Sequence, residues 1–270
     1  MRHSEGAASS ALAQILKNEA DYVVRRRAAR ALRCIACADT VDLLLLGQTL
    51  TIEALSSVAL LDTNEEVRIE TAKALSASIM ASDLVPVSNY SFLLNEAINL
   101  ISSSQTSSCI DSVSSALLFQ AKFSDNHFSM ATNNSLMSAL YTVIYQDMTS
   151  SEAKENVINI IRHLTTTQAD TLLQQEGSRI LNVVVYVLMS STGNFAGTAK
   201  FSIDCQHSSL DIVVQLSSRV TSADERNSMS LNIAKHKGLM VALLRYSANS
   251  EDAYRKAVAK KTIIKLVPFM

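Results

Sequence analysis

Cysteine and histidine residues are the first place to look for chemistry in this 270-residue chain. Cys34 and Cys37 have the Cys-x-x-Cys spacing that serves both redox centres and zinc sites. A redox pair opens a helix, where the dipole lowers a thiol pKa, but this pair follows more than two turns of predicted helix. A zinc site needs a second pair of ligands, and Cys205-x-His207 lies about 170 residues away. We therefore expect Cys34 and Cys37 to be small helix residues, with no metal site and no cofactor.

Other catalytic signatures are weaker still. Residues 193–200 are rich in glycine and end in lysine, but they lack the Gly-Lys-Ser/Thr ending of a phosphate-binding loop. The five histidines stand at no recognised spacing from an acid or a nucleophile, and the chain has no Gly-x-Ser-x-Gly elbow. We expect no catalytic residues and a non-enzymatic protein.

A nine-residue basic pattern is the strongest signal, because it recurs one repeat later. Residues 24–32 read Val-Arg-Arg-Arg-Ala-Ala-Arg-Ala-Leu, and residues 67–75 read Val-Arg-Ile-Glu-Thr-Ala-Lys-Ala-Leu. The last apolar residue of the pattern recurs at intervals of 43, 42 and 44 residues, at Leu32, Leu75, Leu117 and Ile161. A last copy occupies residues 254–262. A period of 40 to 47 residues predicts an α-solenoid.

The elements around the pattern fit paired helices. A second apolar helix is predicted before each copy, over residues 10–16, 51–61, 90–101, 134–145, 179–189 and 238–246. Polar turns join the pairs, and their Asp, Asn and Ser side chains are suited to capping the helix that follows. One irregular unit is expected at residues 179–216.

Residues 230–266 resemble one armadillo repeat: a short helix that ends at Gly238, a second helix, a polar turn and a longer third helix. Residues 62–75 resemble the same turn and third helix, and they fit a HEAT repeat equally well. The resemblance implies an all-α, right-handed solenoid of about six armadillo/HEAT-like repeats, with residues 1–270 as a single domain. It also implies that the third helices line a concave groove for an extended peptide or a partner domain. Importin-type armadillo proteins read basic peptides with groove tryptophans, and a chain without tryptophan does not fit that use.

The outward positions of the third helices define the candidate partner-binding residues. At 100° per residue, Val24 and Ile35 are expected in the core, while Ser76 is expected to face outward. The outward row from which we take the binding site contains Arg26, Arg30, Arg33, Lys73, Ser115, Asn159 and Lys260. Long donors at repeat spacing suit an acidic protein segment. The alternative is that outward positions are polar only because they contact water.

The arginine cluster at residues 25–33 also suits a phosphate contact, but the nearby acids Glu19 and Asp21 reduce its net positive charge. The net charge of the whole chain is −1, so nucleic acid is not expected as a partner. Residues 76–218 carry five basic and eleven acidic residues, whereas residues 219–270 carry ten basic and four acidic. This asymmetry fits ordinary solvated faces, or a basic end that docks an acidic segment.

Four scattered cysteines favour reduced thiols and an intracellular protein, in the cytoplasm or nucleus. The first twenty residues do not read as a secretory signal, and no apolar run is long enough for membrane insertion. The expected function is therefore a scaffold or adaptor that binds a protein through the third-helix surface. Two alternatives stay open: a structural subunit, or a fragment of a longer array, that stacks through uncapped ends, and a helical enzyme with a pocket that holds His163 beside an acid.

Overall fold

The computed structural model describes residues 5–37, 49–80, 87–103, 106–147, 149–190, 201–218, 232–236 and 238–269. Within these ranges the regular structure is helical, without a strand. The helices are α1 (Glu5–Asn18), α2 (Tyr22–Ala36), α3 (Thr49–Leu61), α4 (Glu65–Met80), α5 (Val87–Ser103), α6 (Ser107–Gln120), α7 (Ser124–Ala131), α8 (Asn134–Tyr145), α9 (Ser151–Ser190), α10 (Ile203–Ser218), α11 (Leu239–Asn249) and α12 (Ala253–Leu266), followed by a 3-10 turn at Val267–Phe269.

The predicted helices that fall on described residues agree with the observed ones, although the helix predicted from residue 238 begins at Leu239. The largest difference is α9, whose 40 residues join the repeat copy that contains Ile161 to the predicted helix at 179–189, through a kink at Gln168 (φ −117°, ψ 27°). No glycine or proline marks this kink in the sequence, so the two helices read as separate. The irregular unit at 179–216 consists of the end of α9 and most of α10. Residues 193–200 and part of the short helix at 230–237 lie outside the described residues.

The chain folds as two compact units. Unit 1 comprises Met1–Gln120, Ser138–Val143 and Met148–Ala153, and unit 2 comprises Ala121–Met137, Ile144–Asp147 and Lys154–Met270. In unit 1, α1, α3 and α5 pack in one row, and α2, α4 and α6 pack in a second row. Each helix of the first row also packs on its successor in the chain. Stacked helical pairs of this kind are what the 43-residue spacing predicts.

Helix α4 lies at the centre of unit 1, where it contacts α2, α3, α5 and α6. Small residues on several sides allow this close packing, and Ser76 is only 5% exposed. The expectation that Ser76 faces outward is therefore wrong, because neighbouring helices cover α4 on more than one face. The Ser76 hydroxyl donates to the Ala72 carbonyl at 2.8 Å, so its polar group is satisfied within the helix.

Helix α2 is rotated relative to the expectation. Its buried face consists of Ala28, Ala29, Leu32 and Ala36, whereas Val24, predicted to be core, is 37% exposed. The alanines of α2 supply two apolar stripes of similar hydrophobicity, and the pattern alone does not choose between them. The rotation places Arg25 beside Asp62, in the turn before α4.

In unit 2, α10 and α11 both pack on α12. Gly238 precedes α11 with φ +92°, a left-handed conformation that suits glycine. Asp252 caps α12 by accepting hydrogen bonds from the amides of Tyr254 and Arg255 at 2.8 and 3.1 Å. In the described part of the chain, no helix combines the length and hydropathy that a bilayer crossing requires.

Candidate partner-binding surface

The candidate site lies on α2 and α4, two adjacent third helices of unit 1. Each begins at a side-chain cap in the polar turn before it. Asp21 accepts from the Val23 amide at 2.8 Å, and Asn64 accepts from the amides of Glu66 and Val67 at 3.0 and 3.3 Å. These bonds satisfy helix N–H groups that have no partner inside the helix, and so they fix where each helix starts.

The arginine that opens each of the first two copies of the repeat is structural. Arg25 donates from Nη1 to the carbonyls of Glu19 and Ala20 at 2.8 Å, and Arg68 donates from Nη1 to the Asp62 carbonyl at 2.7 Å. In both copies the guanidinium therefore reaches a carbonyl six residues upstream. This bond ties the third helix to the end of the preceding helix across the turn.

Arg25 also forms a bidentate pair with Asp62, with Nε and Nη2 at 2.8 and 3.0 Å from the two carboxylate oxygens. Burial disfavours the charge of Asp62, but the hydrogen bonds from Arg25 and the Asn64 amide outweigh it and lower the pKa of the carboxyl. Arg25, one of the cluster considered for a phosphate contact, is thus committed to the fold.

Three predicted binding residues converge on one acid that the sequence analysis did not identify. Arg30 Nε and Arg33 Nη1 lie 3.3 and 3.5 Å from Glu70 Oε2, and Lys73 Nζ lies 3.7 Å from Glu70 Oε1. We call these four residues the Glu70 cluster. The side chain of Glu70 is 10% exposed, whereas those of Arg30, Arg33 and Lys73 are 51%, 37% and 41% exposed. The buried acid therefore gathers three cations at a surface open to solvent.

A fourth predicted residue, Arg26, pairs with Glu66 beside the cluster. The Glu66 side chain is 61% exposed, so water screens this pair and it contributes little to stability. The spacing offers a signal for Glu70 itself. Lys73 follows Arg30 by 43 residues, one repeat, and Glu70 precedes Lys73 by three residues, about one helical turn.

The comparisons with known proteins address the fold. No family model and no curated protein matches the chain. A designed armadillo repeat protein is similar at 16% identity and a TM-score of 0.64, over 95% of this chain and 99% of that one. Another designed armadillo repeat protein, in complex with the peptide (KR)4, is similar at 15% identity and a TM-score of 0.61, over 95% and 98% of the two chains.

The fold is an armadillo-like helical repeat. At this identity the likeness carries the fold alone, and it confirms the all-α solenoid class predicted from the 43-residue spacing. The α2–α4 surface is accordingly part of a row of third helices.

The other three predicted residues have the following environments, each within its own unit. Ser115, on α6 of unit 1, donates its hydroxyl to the Asp111 carbonyl at 2.9 Å. Asn159, on α9 of unit 2, accepts a hydrogen bond from Ser208 at 2.9 Å. Lys260 is exposed on α12. Within unit 1, four of the five predicted residues, Arg26, Arg30, Arg33 and Lys73, lie together on α2 and α4.

In unit 2 the third helices are joined by a different ion-pair arrangement. Asp211 on α10 pairs with Arg255 on α12, and it lies 4.0 Å from Arg162 on α9. Lys265 donates to the Ser217 carbonyl at 2.6 Å. These charged groups are occupied in contacts between helices of the armadillo-like fold.

The histidines and cysteines show no catalytic arrangement in the described residues. His127 is held by the Ala121 carbonyl at 2.7 Å and the Thr167 hydroxyl at 2.6 Å. Burial and the nearby positive charge of Arg162 lower the pKa of His163, and no acid contributes to the shift. No group of three or more metal-ligating side chains occurs in the described ranges, where Cys34 and Cys37 are free and exposed.

Proposed function

We propose that this protein is a non-enzymatic scaffold that binds an acidic, extended segment of a partner protein on the α2–α4 surface. The Glu70 cluster is the observation that carries the proposal. Three cations and one carboxylate leave two positive charges on side chains that are about half exposed. Carboxylates of a partner complete the pairing of these charges, and Arg30 and Arg33 present the planar guanidinium groups that such recognition favours.

The same charge opposes a basic ligand. One designed armadillo protein similar to this chain is in complex with the peptide (KR)4. We propose that this chain uses the row of third helices for the opposite charge, because a lysine or arginine side chain placed near Arg30 and Arg33 meets like-charge repulsion. Specificity for acidic over basic segments follows from that repulsion as much as from attraction.

The remaining expectations belong to the same proposal. Arg26 and Ser115 extend the surface within unit 1, and Asn159 and Lys260 are proposed as separate contacts in unit 2. We further propose that residues 1–270 form one repeat array and that the protein acts as an adaptor in the cytoplasm or nucleus. The four free thiols support this location, since such compartments keep cysteines reduced.

A charge-reversal experiment tests the surface. Fluorescein-labelled peptides of about 12 residues, one rich in glutamate and one rich in lysine, are titrated with the protein by fluorescence anisotropy. We expect the acidic peptide to bind and Arg30→Glu/Lys73→Glu to weaken it at least about tenfold, because the net charge of the cluster is inverted. The matched control, Lys122→Glu/Lys235→Glu at two exposed positions that are not proposed contacts, makes the same change in net charge and is expected to leave the affinity within about twofold.

Circular dichroism of both double variants establishes that each is folded. Equal loss of binding in the two variants contradicts the assignment to the α2–α4 surface. Preferential binding of the lysine-rich peptide contradicts the proposed charge of the partner.

A further inference from the structure

We infer that the Glu70 cluster accepts a phosphorylated serine or threonine side chain of the partner segment in preference to a carboxylate. This inference rests on the proposed function, since it names the chemical group at the centre of the same surface. It follows from the number of unused donors, the leftover charge and the acidic surroundings of the cluster.

Arg25 provides an internal standard for an arginine whose donors are nearly all used, since four of its five N–H groups make hydrogen bonds. Its Nε, Nη1 and Nη2 atoms make four hydrogen bonds of 2.8 to 3.0 Å. In the cluster, Arg30 makes one long hydrogen bond to Glu70, at 3.4 Å. Arg33 and Lys73 approach Glu70 only as ion pairs, at 3.5 and 3.7 Å. The two oxygens of one carboxylate do not saturate these three side chains, so several N–H groups remain for a ligand.

The leftover charge matches a phosphate better than a carboxylate. Three cations around one acid leave two positive charges. A phosphate monoester carries about −1.5 to −2 charges at pH 7 and offers three acceptor oxygens, whereas a carboxylate carries one charge and two oxygens. A phosphate therefore uses both the charge and the donors that Glu70 leaves over.

Glu70 acts as a positioning residue in this arrangement. The residue as a whole, backbone included, is 8% exposed, and it lies in the middle of α4, which is packed on several sides. Since the carboxylate holds the arginines near one point before any ligand arrives, less side-chain entropy is lost on binding. The cations themselves stay about half exposed and accessible.

The surroundings favour one phosphate over a chain of phosphates. Glu66, one helical turn before Glu70, is 61% exposed, and Glu65, Asp21 and Glu19 are also exposed at the start of the two helices. A nucleic acid presents a charge at every step of its backbone and meets these acids on the same surface. A peptide, unlike a nucleic acid, can place its acidic and phosphorylated residues opposite the cluster and neutral residues opposite these acids.

The test uses three labelled peptides that share the acidic sequence above and differ only at the central residue, which is serine, glutamate or phosphoserine. At about pH 7.5 we expect the phosphoserine peptide to bind roughly tenfold more tightly than the glutamate peptide, because it adds charge and an acceptor oxygen. The advantage is expected to shrink at about pH 5.5, since the second phosphate pKa is near 6. The glutamate peptide keeps its charge over this range and serves as the pH control.

A conservative variant adds a readout of geometry at constant charge. Arg33→Lys is expected to weaken the phosphoserine peptide several-fold, because lysine lacks the planar fork that binds two phosphate oxygens. Arg27→Lys, at an exposed position of α2, is the matched control and is expected to leave affinity unchanged.

The outcomes separate this inference from the proposed function. Equal affinities for the phosphoserine and glutamate peptides overturn the inference and leave an acidic-segment scaffold standing. No binding of any of the three peptides overturns both. Tighter binding to phosphatidylserine vesicles, or to a single-stranded RNA, than to the phosphoserine peptide also overturns the inference, because the phosphate then comes from another source.

Discussion

Replacing Arg25 with alanine is expected to destabilise the protein far more than replacing its neighbour Arg26. The Arg25 and Asp62 side chains are 13% and 6% exposed and make a bidentate pair. Removing one partner leaves a buried carboxylate without its counter-charge, which costs about 3 to 5 kcal/mol in comparable pairs. The carbonyls of Glu19 and Ala20 also lose their donor, but both residues are exposed and water replaces it.

We therefore expect Arg25→Ala to lower the free energy of unfolding by about 3 kcal/mol, or roughly 6 to 12 °C in Tm for a chain of this size. Arg26→Ala is the control, since its partner Glu66 is largely exposed and the expected loss is below about 1 kcal/mol. Urea denaturation followed by circular dichroism gives both values. Losses within about 1 kcal/mol of each other refute the structural role of Arg25.

The pH dependence of stability tests the same ion pair through its acidic partner, Asp62. The folded state lowers the pKa of Asp62 below its ordinary value of 3.8, so the unfolded chain takes up this proton first as the pH falls. Stability from this pair is complete above the unfolded pKa and is lost as the pH falls through the folded pKa. Asp62→Asn is expected to be less stable at neutral pH and to lose less stability in acid, measured by urea titrations at several pH values.

Two further predictions concern unit 2. Lys154 is 2% exposed, and burial lowers its pKa, although the charge of Asp147 opposes the shift. We expect Lys154→Met to be as stable as the wild type at pH 7, or more stable by about 1 kcal/mol, because apolar packing replaces a buried charge. The gap is expected to close as the pH rises from the lowered folded pKa of Lys154 toward the ordinary value of 10.5, because the folded protein loses this proton first. A large loss in the variant at pH 7 contradicts the desolvation argument. Gly238→Ala is expected to lower the free energy of unfolding by about 1 kcal/mol, because alanine is strained at a φ of +92°. Gly177→Ala is expected to raise it by about 0.5 kcal/mol, because Gly177 lies inside α9 and the nearest atom to an added Cβ is 3.5 Å away. Thermal unfolding followed by circular dichroism measures both variants.

The repeat was predictable because its signature residues maintain the turn. The Val-Arg opening recurs in the sequence at Arg25 and Arg68, and both side chains make the same bond to a carbonyl six residues upstream. A sequence comparison detects such a position, because any other residue lacks the reach and the donors. The Asp21 and Asp252 caps were predictable for the same kind of local reason.

The rotation of α2 and the kink in α9 were not predictable from the pattern. Ala29 and Ala31 are alternative core residues of α2, and the choice between them depends on packing against α4, which no local rule contains. Gln168 breaks the helical geometry of α9 without glycine or proline nearby. Tertiary contacts decide both features.

Three of the four residues of the Glu70 cluster were predictable, namely Arg30, Arg33 and Lys73. Arg30 and Lys73 were found as outward donors at one repeat spacing, but Glu70 was missed, because hydrophobic patterning assigns no role to a buried acid. Without Glu70 the sequence shows a row of cations, whereas the structure shows a cluster with a defined centre and a defined excess charge.

The hydrogen bond from each guanidinium to the carbonyl six residues upstream fixes the length of the turn between the two helices of a repeat. The side chain has a fixed reach, so one residue inserted or deleted between Glu19 and Arg25, or between Asp62 and Arg68, moves the carbonyl out of hydrogen-bond distance. Duplicated modules can therefore diverge freely along their helices while their short connectors keep a constant length. Laboratory insertions into these two connectors are the ones that this architecture tolerates least.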